Sequence, residues 1–534
     1  MRKFTNLLVL IGAIFFSFSV LSNAQTVSVG KGSYSTSRKS GQAGPSRSDG
    51  QPAFPKISSG FNQPVQSNDF WSSLIFARTN NRHSNNIFAH PLNLRASSTG
   101  LELGYSAVPN VSSTEFQYPF SSHIRVGVSG LTSSETLTDA YGDWTVTALW
   151  ENGSTSMKAT FGHGLPYVFF TVSGGNAVIT SLQGVQIWHN ANEVLGITLN
   201  GIHYGIFAPS GSTWTGTSTF SSSLNGQNYF SIAVLPDTNS ETLELFRKHA
   251  YAFVKNSSVD WVYDEANAKV TTTFTYETEL KDASSGNLNE TMSALYRHQW
   301  MHTTNTLTNY TYKSPRGTMK VVEGNSFSTE MNFSGILPTL PDVGDYNRIE
   351  LLGHVQDVAK ESLNSGSTYE NGKAMGRFAQ LVHVADQLGA VTEKEYLLSE
   401  LKKRLEDWLT AGGEQEYVYD STWDALTGYP SGYGADRELN DHHFHASYAI
   451  LSAATIAQYD KDWARQENWG GMINLLIRDA NNWKKDDSDL PFLRNFDAYA
   501  GHAWAAGHAD FQNGNNQESS SESMNFSTDT FLWG

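Results

Sequence analysis

Two stretches of the chain concentrate side chains able to move protons. Residues 428–454 read "GYPSGYGADRELNDHHFHASYAILSAA" and bring together Asp436, Glu438, Asp441, His442, His443 and His445. Residues 493–525 read "LRNFDAYAGHAWAAGHADFQNGNNQESSSESMN" and carry Arg494, Asp497, Tyr499, His502, Trp504, Glu518 and Glu522. Asp441 and His445 are four apart at what reads as the start of a helix, so they share a face. Glu518 and Glu522 have the same spacing. One carboxyl group from each stretch would place an acid and a base on either side of a glycosidic bond, as hydrolysis of that bond requires. Other readings stand beside this one. His443 and His445 with a carboxylate could hold zinc, although neither H-E-x-x-H nor cysteine spacing is present. Asp441 could do no more than cap its helix while the histidines bond to neighbouring loops. The "ESSSE" run has the composition of a wet surface loop.

The elements that must position these residues change character along the chain. From about residue 54 to 280 the texture is that of short strands. "DWTVTALWENGSTSMKATF" alternates through Val146, Ala148 and Trp150, turns at Asn152-Gly153 and alternates again, which predicts a tight hairpin. "KVTTTFTYETEL" keeps a period of two through Val270, Thr272, Phe274 and Tyr276. Many such strands predict a large antiparallel β-sandwich. Near residue 285 the period changes, and "NETMSALYRHQWMHTTN" reads as helix, followed by a mixed connector to about 343. Beyond it, Ala374, Phe378, Leu381, Val382, Ala385 and Leu388 form one apolar stripe ended by Gly389. Thr392–Glu395 reads as a capping box for a helix with a stripe through Leu397, Leu398, Leu401, Leu405 and Trp408. Further helices are expected at about 441–459, 463–482 and 520–533. The expected organisation is a multidomain β plus α chain. It has a sandwich over 54–282, an α/β connector over 283–344 and a helical domain over 345–534. A Ser/Gly/Lys/Arg-rich stretch, residues 25–53, reads as a flexible lead-in.

Length and composition agree with this organisation. A chain of 534 residues exceeds one ordinary domain, and 39% hydrophobic with 12% aromatic content is globular. The 14 Trp and 23 Tyr supply flat surfaces that pack cores and also stack on sugar rings. Residues 1–24 place Arg2 and Lys3 before an apolar run from Leu7 to Leu21 and then Ser22-Asn23-Ala24, which predicts a secretory signal cleaved after Ala24. The chain has no cysteine, so no disulfide assists it after export. A formal charge of −16 speaks against nucleic acid or an anionic membrane as partner and does not repel a neutral glucan.

Taken together, "ELNDHHFHASY" and "RNFDAYAGHAWAAG…GNNQESSSESMN" resemble the signature regions of glycoside hydrolase family 81, the endo-β-1,3-glucanases that cut laminarin-type glucans. "NDFWSSLIFA…FAHPLNL" (68–94) and "ALYRHQW" (294–300) are similar to that family's N-terminal and connector motifs. The resemblance therefore runs from about residue 55 to the end. It implies an N-terminal β-sandwich, a small α/β connector and a C-terminal (α/α)6 toroid. It also implies endo-hydrolysis of β-1,3-glucosidic bonds with inversion, without metal or other cofactor. By motif position Asp441 matches the family's general acid, and His445 matches the histidine four after it. The "ESSSE" pair supplies the base, with Glu522 favoured and Glu518 a neighbouring carboxylate. Tyr433, Asp436, His443, Asp497, Tyr499, His502, Trp504 and Asn516 are assigned to substrate binding, and Trp423 and Tyr429 are further candidates for the cleft wall. Family members continue through several more helices, while about six are legible here after residue 345, near half of a toroid. The expectation is a catalytic domain truncated at Gly534. The expected protein is a secreted, extracellular or periplasmic, monomeric β-1,3-glucanase acting on β-1,3-glucan, with no nucleic-acid partner and no membrane association once the signal is cleaved. The alternatives are a non-catalytic β-glucan-binding protein or inactive fragment, and a polysaccharide lyase, against which the acid-rich loops argue.

Overall fold

The computed structural model describes residues 25–283, 286–361 and 366–534; the expected secretory signal, residues 1–24, lies outside them. Two antiparallel sheets build the first half. One has eight strands, from Val185–Ala191 at one edge to Leu137–Tyr141 at the other. The second has six, from Thr219–Ser222 to Ile87–Phe88. The hairpin predicted at Asn152-Gly153 joins two of the eight strands, Thr145–Asn152 and Thr155–Gly162, with Asn152 opposite Thr155. Gly153 takes φ +61°, which such a two-residue turn demands and glycine supplies without strain. Val146, Ala148 and Trp150 turn inward with Met157, Ala159 and Phe161, and share one core with Leu94, Leu101, Val126 and Ile179 of the other sheet. The Trp150 indole crosses between the sheets to donate to the Ser97 carbonyl at 2.8 Å.

The connector differs from its expectation. Met292–Leu295 is a strand, and only Arg297–Trp300 beyond it is helical. All four strand residues are buried, and a strand covered on both faces has no alternation to distinguish it from helix. Lys269–Leu280 pairs on one side with Ala252–Asp264 and on the other with Ser326–Asn332, tying the connector to the strands before it.

Nine helices lie among the described residues. Ser240–His249 (α1) and Arg297–Trp300 (α2) belong to the β-rich part. The others are Arg348–Val358 (α3), Thr368–Gln387 (α4), Val391–Trp408 (α5), Ala435–Glu438 (α6), His442–Tyr459 (α7), Gly471–Asn481 (α8) and Ser520–Trp533 (α9). Phe378, Val382 and Ala385 of α4 are buried as their stripe requires, and Gly389 leaves the helix at φ +68°. Thr392–Glu395 is not a cap. The chain re-enters helix at Val391 directly after the Gly389 turn, with Ala390 at the N-cap and Thr392 inside. Helix α8 starts at Gly471 rather than near 463, because the backbone at Asn468 (φ −101°, ψ −119°) interrupts the preceding turn. Helix α7 is apolar around most of its circumference because α4, α5, α8 and α9 all pack on it.

Residues 25–53 are not a flexible lead-in. Thr26–Val29 and Gly32–Ser35 form a hairpin that extends a sheet with Glu416–Asp420 and Ala425–Tyr429 of the helical part. Lys31 N–H donates to the Asn468 carbonyl and Ser33 N–H to the Leu409 carbonyl, each at 2.8 Å, and Arg38 pairs with Asp420. Main-chain pairing and single charges anchor this segment, and composition displays neither.

The two halves meet around Arg494, which is 1% exposed. Its Nε donates to the Asp479 carbonyl (2.8 Å) and its Nη1 to Ser67 Oγ (2.9 Å), and Nη2 reaches the Asp424 carbonyl. Arg494→Met would leave these buried acceptors unpaired. Its expected cost is about 3 kcal/mol, read as a lower midpoint in denaturant unfolding; an unchanged midpoint would show that the junction does not depend on the guanidinium.

Candidate active site

Asp441 occupies the residue before α7 in a left-handed conformation, φ +60°, which Asp tolerates better than most residues. Its side chain accepts no hydrogen bond from the helix N-terminus, so it is not spent as a cap. The Asp441 N–H donates to the Ala505 carbonyl (3.0 Å), and the Ala505 N–H in turn donates to the Asn516 carbonyl (2.8 Å). These two bonds set the second stretch beside the first. Asn440 Nδ2 donates to Asp441 Oδ2 at 2.8 Å, whereas the buried Oδ1 has no protein partner. Burial above all, and then the Glu518 charge, push the Asp441 carboxyl up to about 7.

Two histidines behind Asp441 do different work. His445 Nδ1 lies 2.7 Å from Thr368 Oγ1, and burial, with the His442 charge, holds its imidazole neutral by lowering its pKa to about 3. His442 Nδ1 is 2.8 Å from Asp479 Oδ2, linking the residue after Asp441 to α8.

Glu522 comes from the first turn of α9. Ser519 caps that helix, its Oγ accepting from the Glu522 N–H. Burial by itself would raise the Glu522 carboxyl, but the hydroxyls of Tyr448 (2.8 Å) and Tyr369 (2.9 Å) both donate to Oε1, and the net effect lowers it. Glu518 lies outside the helix at φ +57°, exposed, with Asn516 Nδ2 donating to its Oε2 at 3.3 Å. The four-residue spacing of the glutamates therefore does not place them on one helical face. A turn brings Glu518 near Asp441, and the helix carries Glu522. One carboxyl held up and another held down, drawn from the N-terminal ends of two helices, can supply acid and base to a single reaction.

Three comparisons with known proteins bear on this site. Residues 350–534 match the glycosyl hydrolase family 81 C-terminal domain. A glucan endo-1,3-beta-D-glucosidase of Thermobifida fusca is 43% identical over 521 residues, covering 96% of this chain and 68% of that protein. The chain belongs to glycoside hydrolase family 81. A second glucan endo-1,3-beta-D-glucosidase, from Acetivibrio thermocellus, is 42% identical over 88% of this chain and 61% of its own length. A solved family 81 structure from Clostridium thermocellum superposes with a TM-score of 0.91 at 40% identity, covering 96% of this chain and 71% of that one.

Within this family 81 chain the other residues assigned to substrate binding separate into two groups. Tyr433, Asn516, His502 and Trp504 retain exposed surface. Tyr433 donates to Glu370 Oε1 at 2.7 Å and stands edge-on to Tyr369 with 5.1 Å between ring centres. His502 packs edge-on to Trp504 at 4.4 Å. The second group is interior. Asp436 accepts from Ser431 Oγ (2.7 Å) and the Ala43 N–H (3.3 Å), and so fastens the N-terminal segment. His443 is wholly buried between Phe444 and Phe526. Tyr499 is also wholly buried and donates to the Ala294 carbonyl at 3.0 Å. Asp497 is buried against His163 Nε2 at 2.9 Å. Trp423, taken as a possible cleft wall, lies in the core 4.4 Å from the Phe76 ring. Among the described residues no group of three or more His, Asp or Glu side chains is arranged to hold a metal ion.

Tyr369, Tyr448 and Thr368 were not legible from the motifs. Tyr448 stands within "HHFHASY", one helical turn after His445, which was the available signal; Tyr369 lies in a segment with no motif. Replacing Tyr448 by Phe removes a donor to the ionised form of Glu522 and raises its pKa. The acid limb of the rate profile is expected to move to higher pH, with kcat/KM at acid pH down on the order of tenfold. An unmoved limb would remove the hydroxyl from this role.

Proposed function

We infer that this chain is an exported, endo-acting glycoside hydrolase that cleaves β-1,3-glucosidic bonds with inversion of configuration. The observation that carries the reading is the opposite tuning of Asp441 and Glu522 in a family whose curated relatives are named glucan endo-1,3-beta-D-glucosidases. Asp441, protonated up to about pH 7, gives its proton to the leaving glucosyl oxygen. Glu522, kept ionised by the two tyrosine hydroxyls, takes a proton from a water on the opposite face of the sugar ring as that water attacks the anomeric carbon. His445 braces the start of α7 through Thr368, and the charge of Glu518 helps to keep Asp441 protonated.

Supporting the wider reading, α7 surrounded by α4, α5, α8 and α9 fits part of an (α/α)6-type toroid. The basic residues and apolar run over 1–24 favour export, and the acidic surface tolerates a neutral polysaccharide. We take the domain limits near 282 and 344 and a monomeric state as part of the same proposal. Incubation with laminarin, with proton NMR of the first anomer released, tests it. Oligosaccharides released initially as the α-anomer are expected. Release of the β-anomer refutes inversion, and no release of reducing ends refutes the activity.

A further inference from the structure

The segment Asn68-Asp69-Phe70-Trp71 of the β-rich half has no part in the acid–base pair, yet it reaches the backbone on which Asp441 stands. Asn68 is 1% exposed and adopts a left-handed conformation, φ +61°. Its Nδ2 donates to the Leu439 carbonyl at 2.7 Å and to the Ala505 carbonyl at 3.1 Å. The Ala505 carbonyl is the one that also receives the Asp441 N–H. One side-chain amide thus ties the stretch that enters α7 to the stretch that leads on to Glu518 and Glu522. The Asn68 N–H adds a third bond, to the Gly507 carbonyl at 3.1 Å. Gly507 lets the two stretches touch, because a Cβ there would collide with the Glu438 carbonyl.

The orientation of the amide follows from its neighbours. A guanidinium can only donate, so Arg494 Nη1, 2.9 Å from Ser67 Oγ, takes up that oxygen as an acceptor. The Ser67 proton is then directed to Asn68 Oδ1, at 2.7 Å. With Oδ1 engaged in this way, Nδ2 faces the two carbonyls and both of its protons are used.

What the amide holds is strained backbone. Leu439 is at φ +51° and Asp441 at φ +60°, two left-handed residues within three positions. Leucine rarely adopts that conformation, which persists only where the surroundings over-determine it. The Leu439 side chain is wholly buried, and Asn68 fixes its carbonyl. Relaxation of residues 439–441 would turn the Asp441 carboxyl away from its place.

We propose that Asn68 is a positioning residue, which fixes the approach of the Asp441 carboxyl to the leaving oxygen by clamping the Leu439 and Ala505 carbonyls. This role rests on the glucanase reading and adds to it a requirement for a residue from the other half of the chain. The test is a double-mutant cycle on laminarin with Asn68→Gly and Asp441→Asn, singly and together. Glycine accepts φ +61° without strain and removes only the amide. A misplacement of the acid by about 1 Å costs on the order of a hundredfold, so Asn68→Gly alone is expected to lower kcat about that far and to change KM less than about twofold. Added to Asp441→Asn it is expected to cost less than about threefold, because the group it positions is already gone. Ser67→Ala, which releases Oδ1 and leaves the amide in place, should show the same non-additivity with a loss of about tenfold; it decides alone if Asn68→Gly does not fold. Equal losses with and without the Asp441 carboxyl, or no loss with it, overturn the role of Asn68 and leave the glucanase reading standing. Laminarin left uncut by the unmodified protein overturns that reading and this role with it.

Discussion

Asp441→Asn is expected to lower kcat on β-1,3-glucan by about a thousandfold, the middle of the range for loss of a general acid. The amide has the size of the carboxyl group and can keep a contact with Asn440, but it has no proton to give. In the unmodified protein the same group is expected to set the alkaline limit of activity. Its carboxyl is raised to about 7, so kcat/KM falls as pH rises through that value and Asp441 ionises. The stability consequence has the opposite sign from the loss of activity. A carboxyl raised in the folded state binds a proton more tightly there than in the unfolded chain, so it costs stability as pH climbs from its ordinary value toward 7. The neutral Asn escapes that cost. The variant should melt a few degrees higher near pH 8 while being almost inactive. Retained activity, or a lower melting temperature at that pH, would remove Asp441 from the acid's role.

Glu522→Gln should cost a comparable factor, and its comparison with Glu518→Gln decides which glutamate is the base. Glu522 is half-buried, fixed in the first turn of α9 and held ionised by Tyr448 and Tyr369. Glu518 is exposed and outside the helix, and it acts on Asp441 through its charge. Removing the Glu518 charge lets Asp441 ionise more readily. The expected result for Glu518→Gln is an alkaline limb moved to lower pH with a kcat near its optimum reduced far less than in Glu522→Gln. Kinetics over pH 4–9 measure both effects. A larger kcat loss in Glu518→Gln, with the alkaline limb unmoved, would exchange the two roles.

Particular residues show where reading the chain succeeded and where it could not. The Asn152-Gly153 hairpin and the α4 stripe were legible because neighbours a few positions apart decide them: a turn that requires φ > 0, a face that must be buried. Met292–Leu295 was misread because burial on both faces erases the period that separates strand from helix. The segment at 25–53 was misread because its partners are main-chain groups more than 370 residues away, at Leu409, Val418 and Asn468. Asp436, His443, Asp497 and Tyr499 have side chains suited to a sugar site, and the fold spends them on interior contacts instead. Trp504, drawn from the same stretch, stays partly exposed, and its indole Nε1 donates to the buried Asp497 at 2.9 Å.

What the sequence by itself determined is the inventory: two motif stretches, their membership in one enzyme family, and the carboxyl groups available to a reaction. Residue type and local spacing carry that information directly. Only the tertiary structure decided how those groups differ. Asp441 is raised because the chain buries it and brings Glu518 near. Glu522 is lowered because Tyr369, more than 150 residues earlier, and Tyr448 both turn their hydroxyls to it. Protonation is set by desolvation and by charges within a few ångströms, and neighbours at that distance are chosen by packing rather than by position in the chain.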